Sequence, residues 1–262
     1  MAAPSHCVDV RGLTKVYDRF VAVDGIHFDV QPGEIYGFLG PNGAGKTTTI
    51  RMLIGLLKAT EGSITICGHD MDKEPEAAKQ VTGFLPDRPF IYEKLTAREY
   101  LRFVGGIYGL PPETIRARTM ELLDFFELTD WTDALVESFS HGMKQRIALS
   151  GALIHKPKLL IVDEPTVGLD PKGSRLLKKV FHRLADEGAA IFMSTHSLEV
   201  AEELCHRLSI IQHGKLLATG TFEEIRRKAN DPDANLEHVF LKLTGAEDLS
   251  AADRLLRDGQ DR

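Results

Sequence analysis

The stretch GPNGAGKTT, residues 40–48, restricts what this chain can fold into more than any other part of it. Gly40, Gly43 and Gly45 crowd into one short segment, although glycine weakens helix and strand interiors. Upstream, Ile35 to Leu39 reads as a buried strand. Downstream, Ile50, Leu53, Ile54 and Leu57 recur at the spacing of one apolar helix face. A glycine turn between strand and helix lets backbone N–H groups converge on an anion, with the helix dipole behind them. The segment fits the phosphate-loop pattern G-x-x-x-x-G-K-S/T. It predicts a phosphate site at Gly40, Pro41, Asn42, Gly43, Ala44, Gly45, Lys46, Thr47 and Thr48. Lys46 supplies a full charge near the outer phosphates, and Thr47 a hydroxyl for Mg²⁺.

The surrounding pattern predicts an α/β fold. Val8 and Val10, then Ile26, Phe28 and Val30, alternate with other residues, as half-buried antiparallel strands do. EGSITICG alternates in the same way through Ile64 and Ile66. KLLIVD, AAIFMS and LSIIQ are short continuous apolar runs, suited to a buried parallel sheet. Helices from about 171 to 187 and from about 198 separate them, and His213-Gly214 turns the chain into KLLATG. From 96 to 155 the pattern is mostly helical. Thr96 and Glu99 form a capping box there. LPPETIRARTMELLDFFEL opens on prolines suited to a helix start and sets Met120, Leu123 and Phe126 on one side. The expected fold is a P-loop NTPase (RecA-like) core sheet with an N-terminal antiparallel β subdomain and an inserted helical subdomain. The ATP-binding domain would span 1–228, with the helical subdomain at about 93–155. A linker at ANDPDAN and a short, charged helical extension would fill 229–262.

Composition narrows the partners. The 262 residues carry a net charge of -6, which argues against nucleic acid as the main partner. Cys7, Cys67 and Cys205 lie far apart without CxxC pairing, so they are expected as small apolar packing residues in a reducing compartment. The start, MAAPSHCVDV, lacks the pattern of a secretory signal. No apolar run approaches the roughly 20 residues that span a bilayer. Membrane work would therefore need a separate spanning chain.

Asp163 and Glu164 close the apolar run LLIVDE. A carboxylate at the C-terminal end of a buried strand can reach Mg²⁺, directly or through water. Glu164 could polarise an attacking water as general base. Alone, the two acids would read as a solvated loop; beside a phosphate loop, the catalytic reading is favoured.

FSHGMKQR, Phe139 to Arg146, resembles the signature motif of the ATP-binding cassette family, written LSGGQ-x-QR. Ser140, Gly142, Gln145 and Arg146 match; Phe139, His141 and Met143 depart. The resemblance implies that two copies pair head to tail, with Ser140 and nearby N–H groups on the γ-phosphate held by the other copy's Lys46. A serine before a helix is also an ordinary N-cap. VGLD resembles the family D-loop, with Asp170 at its acid, and STHS the switch region, with His196 toward the γ-phosphate. Tyr17 matches the aromatic that stacks on adenine, though an aromatic there could equally be core. GFLPDRPF matches the loop that usually carries a glutamine; this chain has Asp87, which either faces Mg²⁺ or shapes a Pro-Asp turn.

The implied function is the ATP-hydrolysing subunit of a membrane transporter on the cytoplasmic face of the membrane, using ATP and Mg²⁺. It would act as a pair with transmembrane subunits, which grip the helical insert and the loop from Asp87 to Tyr92, where Phe90, Ile91 and Tyr92 are either exposed for that contact or packed inside the cassette. LEHVFLKLTG resembles the tail of the exporter-like bacterial subfamily. The alternative is a soluble cassette ATPase acting on DNA or ribosomes. Relatives of that kind carry long coiled coils or tandem cassettes, whereas this chain has one cassette and a compact insert.

Overall fold

β1 (Val8–Tyr17) and β2 (Phe20–Val30) form an antiparallel hairpin. Its alternation buries Val8, Val10, Ile26, Phe28 and Val30. β3 (Ile35–Leu39) is buried along its whole length and runs into the glycine loop and α1 (Lys46–Leu53). β4 (Glu61–Ile66), β5 (His69–Asp70), α2 (Pro75–Gln80) and β6 (Thr82–Leu85) follow. The helical insert holds α3 (Ala97–Ile107), α4 (Pro112–Phe125) and α5 (His141–Leu153). Strands and helices then alternate through β7 (Leu159–Asp163), α6 (Pro171–Asp186), β8 (Ala190–Thr195), α7 (Leu198–Leu204), β9 (Arg207–Gln212), β10 (Lys215–Gly220) and α8 (Phe222–Lys228). α9 (Leu236–Thr244) comes last. The computed structural model describes residues 6–166, 171–228 and 235–245.

Two sheets result. One is four-stranded, in the order β2-β1-β4-β5; the other is six-stranded, in the order β10-β9-β3-β8-β7-β6. The second is parallel from β9 to β6, and β10 pairs antiparallel at its edge. This is the expected α/β architecture. The order places β8 between β3 and β7. Register sets Leu39 opposite Thr195 and Asp163 opposite Ser194. The C-terminal ends of three strands far apart in sequence are therefore level, at the edge where open parallel sheets bind ligands.

Aromatic packing joins the sheets. Phe28, Tyr36, Phe38 and Phe192 form a cluster with ring centroids 5.3–6.1 Å apart. Truncating a buried ring such as Phe192 to alanine would cost roughly 3–5 kcal/mol. The capping box of α3 is present: Glu99 N–H donates to Thr96 Oγ1 at 3.2 Å and Thr96 N–H to Glu99 Oε2 at 2.9 Å.

Several local expectations need correction. α1 stops at Leu53 because Gly55 turns left-handed (φ 68), so Leu57 joins the core from outside the helix. On α4, Leu123 and Phe126 are buried, but Met120 is 40% exposed; Ile115, Thr119 and Leu122 complete the inner face. Of Phe90, Ile91 and Tyr92, left open between surface and core, Ile91 is the one that turns inward, 9% exposed in the core beside the helical insert. Cys7 packs in the core and Cys67 against it, as expected, and the pairing of β1 with β4 also brings their sulfurs together. The charged extension contains α9, which buries Leu236 and Val239 and packs against α7 and α8.

Candidate active site

The phosphate loop holds its shape by backbone means. Gly43 (φ 78) and Gly45 (φ 113) adopt left-handed conformations that side-chain-bearing residues avoid. A Cβ on Gly40 would lie 2.3 Å from the Ile211 carbonyl oxygen, and one on Gly45 2.7 Å from that of Ala22. Both glycines are therefore required by neighbouring backbone as well as by the turn. Gly45 caps α1 and, having no side chain, leaves the N–H groups opening that helix without a side-chain cap. Ala44 is buried, and its carbonyl accepts from Gly214 N–H at 2.9 Å. The loop is thus tied to the β9–β10 turn.

Lys46 is buried and donates to the carbonyls of Gly40 (2.6 Å) and Pro41 (3.3 Å). Burial lowers its pKa, against the opposing pull of the Glu164 and Asp163 carboxylates. Glu164 Oε1 lies 3.9 Å from Lys46 Nζ. Glu164 Oε2 lies 2.9 Å from His196 Nδ1 and accepts from His196 N–H at 3.2 Å. Glu164 has φ 50, a strained conformation for a residue of its type, and its N–H donates to Ser194 O at 3.0 Å. Asp163 accepts a short hydrogen bond from the Ser194 hydroxyl. Burial raises the Asp163 pKa, and the neighbouring charges of Glu164 and Asp87 push the same way.

A cavity of about 420 Å³ connects these groups. Pro41, Asn42, Gly43, Gly45, Lys46, Thr47 and Thr48 line one side, and Asp87, Asp163 and Glu164 another. Tyr17, 42% exposed, lines it too, so this ring is not core. Phe20 (65% exposed) and Ala22 join it, residues the sequence did not single out. Their signal was pairing: Phe20 sits opposite Tyr17 across the hairpin. Gly40 and Ala44 shape the loop from behind without lining the cavity, and His196 reaches it through Glu164.

Ser140 and Gly142 do not line this cavity. Ser140 caps α5, its Oγ accepting from Met143 N–H at 3.3 Å. Gln145, from the same segment, points inward. Its amide donates to Pro165 O at 2.7 Å, one residue beyond Glu164, while its Oε1 is buried without a partner among the described residues. Asp170 lies outside the described residues.

The donor set suits a hard cation. Thr47, Asp163 and Asp87 offer oxygen only, and the clustered carboxylates carry negative charge that a cation would relieve. Among the described residues, no group of three or more His, Cys, Asp or Glu forms a metal cage. A cation here would have to share its shell with phosphate and water, as Mg²⁺ does.

Comparison with known proteins bears on the family and the fold. Residues 23–167 match the family model described as ABC transporter. The chain is 41% identical over 214 residues to the linearmycin resistance ATP-binding protein LnrL of Bacillus subtilis (strain 168), covering 82% of this chain and 69% of that protein. It is also 41% identical over 213 residues to the Nod factor export ATP-binding protein I of Burkholderia pseudomallei (strain 1710b), covering 81% and 70%. A solved structure of the ATP binding subunit of an ABC transporter superposes with a TM-score of 0.86 at 34% identity, covering 90% of this chain and 99% of that one.

Proposed function

The chain belongs to the ABC transporter family of ATP-binding subunits, and from that premise we propose that two copies, paired head to tail, power efflux through separate membrane-spanning partners. Hydrolysis of ATP is the family's activity and this chain's. The observation that carries the proposal is Glu164, held between Lys46 and His196 at the wall of the cavity that the phosphate loop lines.

The roles follow from that placement. Backbone N–H groups of the loop and Lys46 bind the phosphates, and Lys46 exchanges its loop carbonyls for phosphate oxygens. Tyr17 stacks on the base, with Phe20 beside it. Glu164 accepts a proton from the attacking water, while His196 orients that carboxylate and contacts the γ-phosphate. Thr47, Asp163 and Asp87 would hold Mg²⁺, which supplies charge neutralisation between the outer phosphates.

Pairing is motivated by what the cavity lacks. Ser140 and Gly142 are away from it, so they would act on the nucleotide of a second copy, together with Asp170. No helix among the described residues is long and apolar enough to cross a membrane. The membrane contact is assigned to Phe90, 90% exposed, with Tyr92 and Phe103 in edge-on ring contact beneath it. Efflux, and a peripheral position on the cytoplasmic face, are carried over from relatives named for resistance and export.

The test is Glu164→Gln. It should still bind ATP, turn over roughly 10²-fold more slowly, and form a dimer with Mg-ATP that dissociates without nucleotide. A variant that stays monomeric at saturating ATP and high protein concentration would refute the shared site.

A further inference from the structure

Pairing of β1 with β4 sets Val8 opposite Ile66, and so places the next residues outward, Cys7 and Cys67, side by side. Cys67 N–H donates to Cys7 O at 2.6 Å, and the two Sγ atoms lie 2.7 Å apart. A disulfide bond is about 2.05 Å long, so closure needs only a small further approach. Both cysteines are free.

Cys67 also occupies an unfavourable turn position. Ile66 pairs with His69, so Cys67 and Gly68 alone turn β4 into β5, with φ 48 and 91. Turns with two left-handed residues favour Asn, Asp or Gly. The sulfur contact is what cysteine offers there. Solvent reaches the half-buried Cys67, whereas Cys7 is 3% exposed. The hydrogen bond from Cys7 lowers the Cys67 pKa and the charge of Lys158 acts the same way; the bond to Cys67 and burial raise that of Cys7. Cys67 is thus the member that solvent and an oxidant reach, and the charge of Lys158 favours its thiolate, the form that reacts.

We propose that Cys7 and Cys67 are an oxidisable dithiol site, closed to a disulfide by a small peroxide. The Cys67 thiolate attacks one peroxide oxygen, the O–O bond breaks, and a sulfenic acid forms as the other oxygen leaves as water after gaining protons. The Cys7 sulfur then attacks the Cys67 sulfur. The S–S bond forms, the S–O bond breaks, and the departing hydroxide takes the Cys7 proton as water. The two sulfurs together lose two electrons, which the two peroxide oxygens gain. This site is independent of the nucleotide reading.

The test treats the reduced full chain with hydrogen peroxide, alkylates the remaining thiols and digests without reductant. The expected product is a Cys7–Cys67 linked peptide with Cys205 still alkylated. The melting temperature should rise by roughly 5–10 °C, because the bond closes a long loop, and dithiothreitol should reverse it. Cys7→Ser should abolish the linked peptide and leave Cys67 as sulfenic or sulfinic acid. Full alkylation of both residues after peroxide would overturn the proposal. So would Cys67 sulfinic acid in the parent chain with Cys7 still free.

Discussion

Two helices of this chain open at ends that the proposed function assigns to phosphate, and they open differently. α1 begins at Gly45, left-handed and without a side-chain cap, over the buried Lys46. α5 begins at exposed Ser140, whose Oγ accepts from Met143 N–H at 3.3 Å. Both have the unpaired N–H groups of any helix start. At α1 backbone geometry is kept free of side chains, so an anion can reach the amides within one chain. At α5 a surface hydroxyl already makes one long, weak bond, which a phosphate arriving from another molecule could replace. On the proposed reading, the site completed inside the fold depends on φ angles and glycine, and the one completed by assembly would depend on exposed side chains.

The largest test removes the buried charge of α1. Lys46→Ala should cut ATP hydrolysis by at least ~10²-fold, since a charge-assisted contact to the outer phosphates is lost. A purified variant hydrolysing ATP at the parental rate would break the comparison at its stronger end.

Gly45→Ala comes next. Its Cβ would meet Ala22 O at 2.7 Å in a backbone held at φ 113. A loss of roughly 2–3 kcal/mol in urea unfolding is expected. Gly43→Ala has an open Cβ position at φ 78 and should cost only about 1 kcal/mol. Equal losses at the two glycines would show that close backbone approach is not what singles out Gly45.

The far end of α5 offers a pH test. His155 follows that helix, stacked on Tyr108 at 3.6 Å, with Nε2–H donating to Thr82 O at 3.2 Å. Its Nδ1 is buried without a partner among the described residues. Burial lowers its pKa from 6.5 to about 4. The unfolded chain then binds more protons between those values, so stability falls as pH drops through that window. The loss should reach on the order of 2 kcal/mol, less than the full shift because the ring keeps partial contact with water. His155→Phe should flatten that part of the stability–pH curve; an unchanged slope would assign it elsewhere.

Ser140→Ala should have the smallest effect on the isolated chain. Loss of a cap costs about 1 kcal/mol, and Ser140→Gly only a few tenths. Nucleotide binding to the monomer should hold, while ATP hydrolysis by the paired protein falls. If Ser140→Ala weakens binding to the monomer as much as Lys46→Ala does, the two helix starts belong to one intramolecular site.

The phosphate loop was legible because its demands are local. Gly43 and Gly45 need their φ angles whatever surrounds them, and Lys46 follows within one turn. The strand ending at Asp163 was legible because a parallel strand buried on both faces leaves a continuous apolar run. Phe20 was not, since its place beside Tyr17 depends on hairpin register. Ile91 stayed open between surface and core because local sequence cannot say which neighbour in a run of three apolar residues turns inward.

Sequence alone therefore determined the chemistry on offer: a backbone cradle, a lysine, two acids at a strand end and a histidine after another strand. Only the tertiary structure decided that they meet. The order β3-β8-β7 makes their ends level, and Glu164, in a strained turn, spans from Lys46 to His196. The same rule separates Cys7 from Cys67 in the sequence and joins them in space. Side-chain chemistry and φ preference are properties of a residue and its neighbours, whereas strand order and register are set by burial summed over the whole sheet.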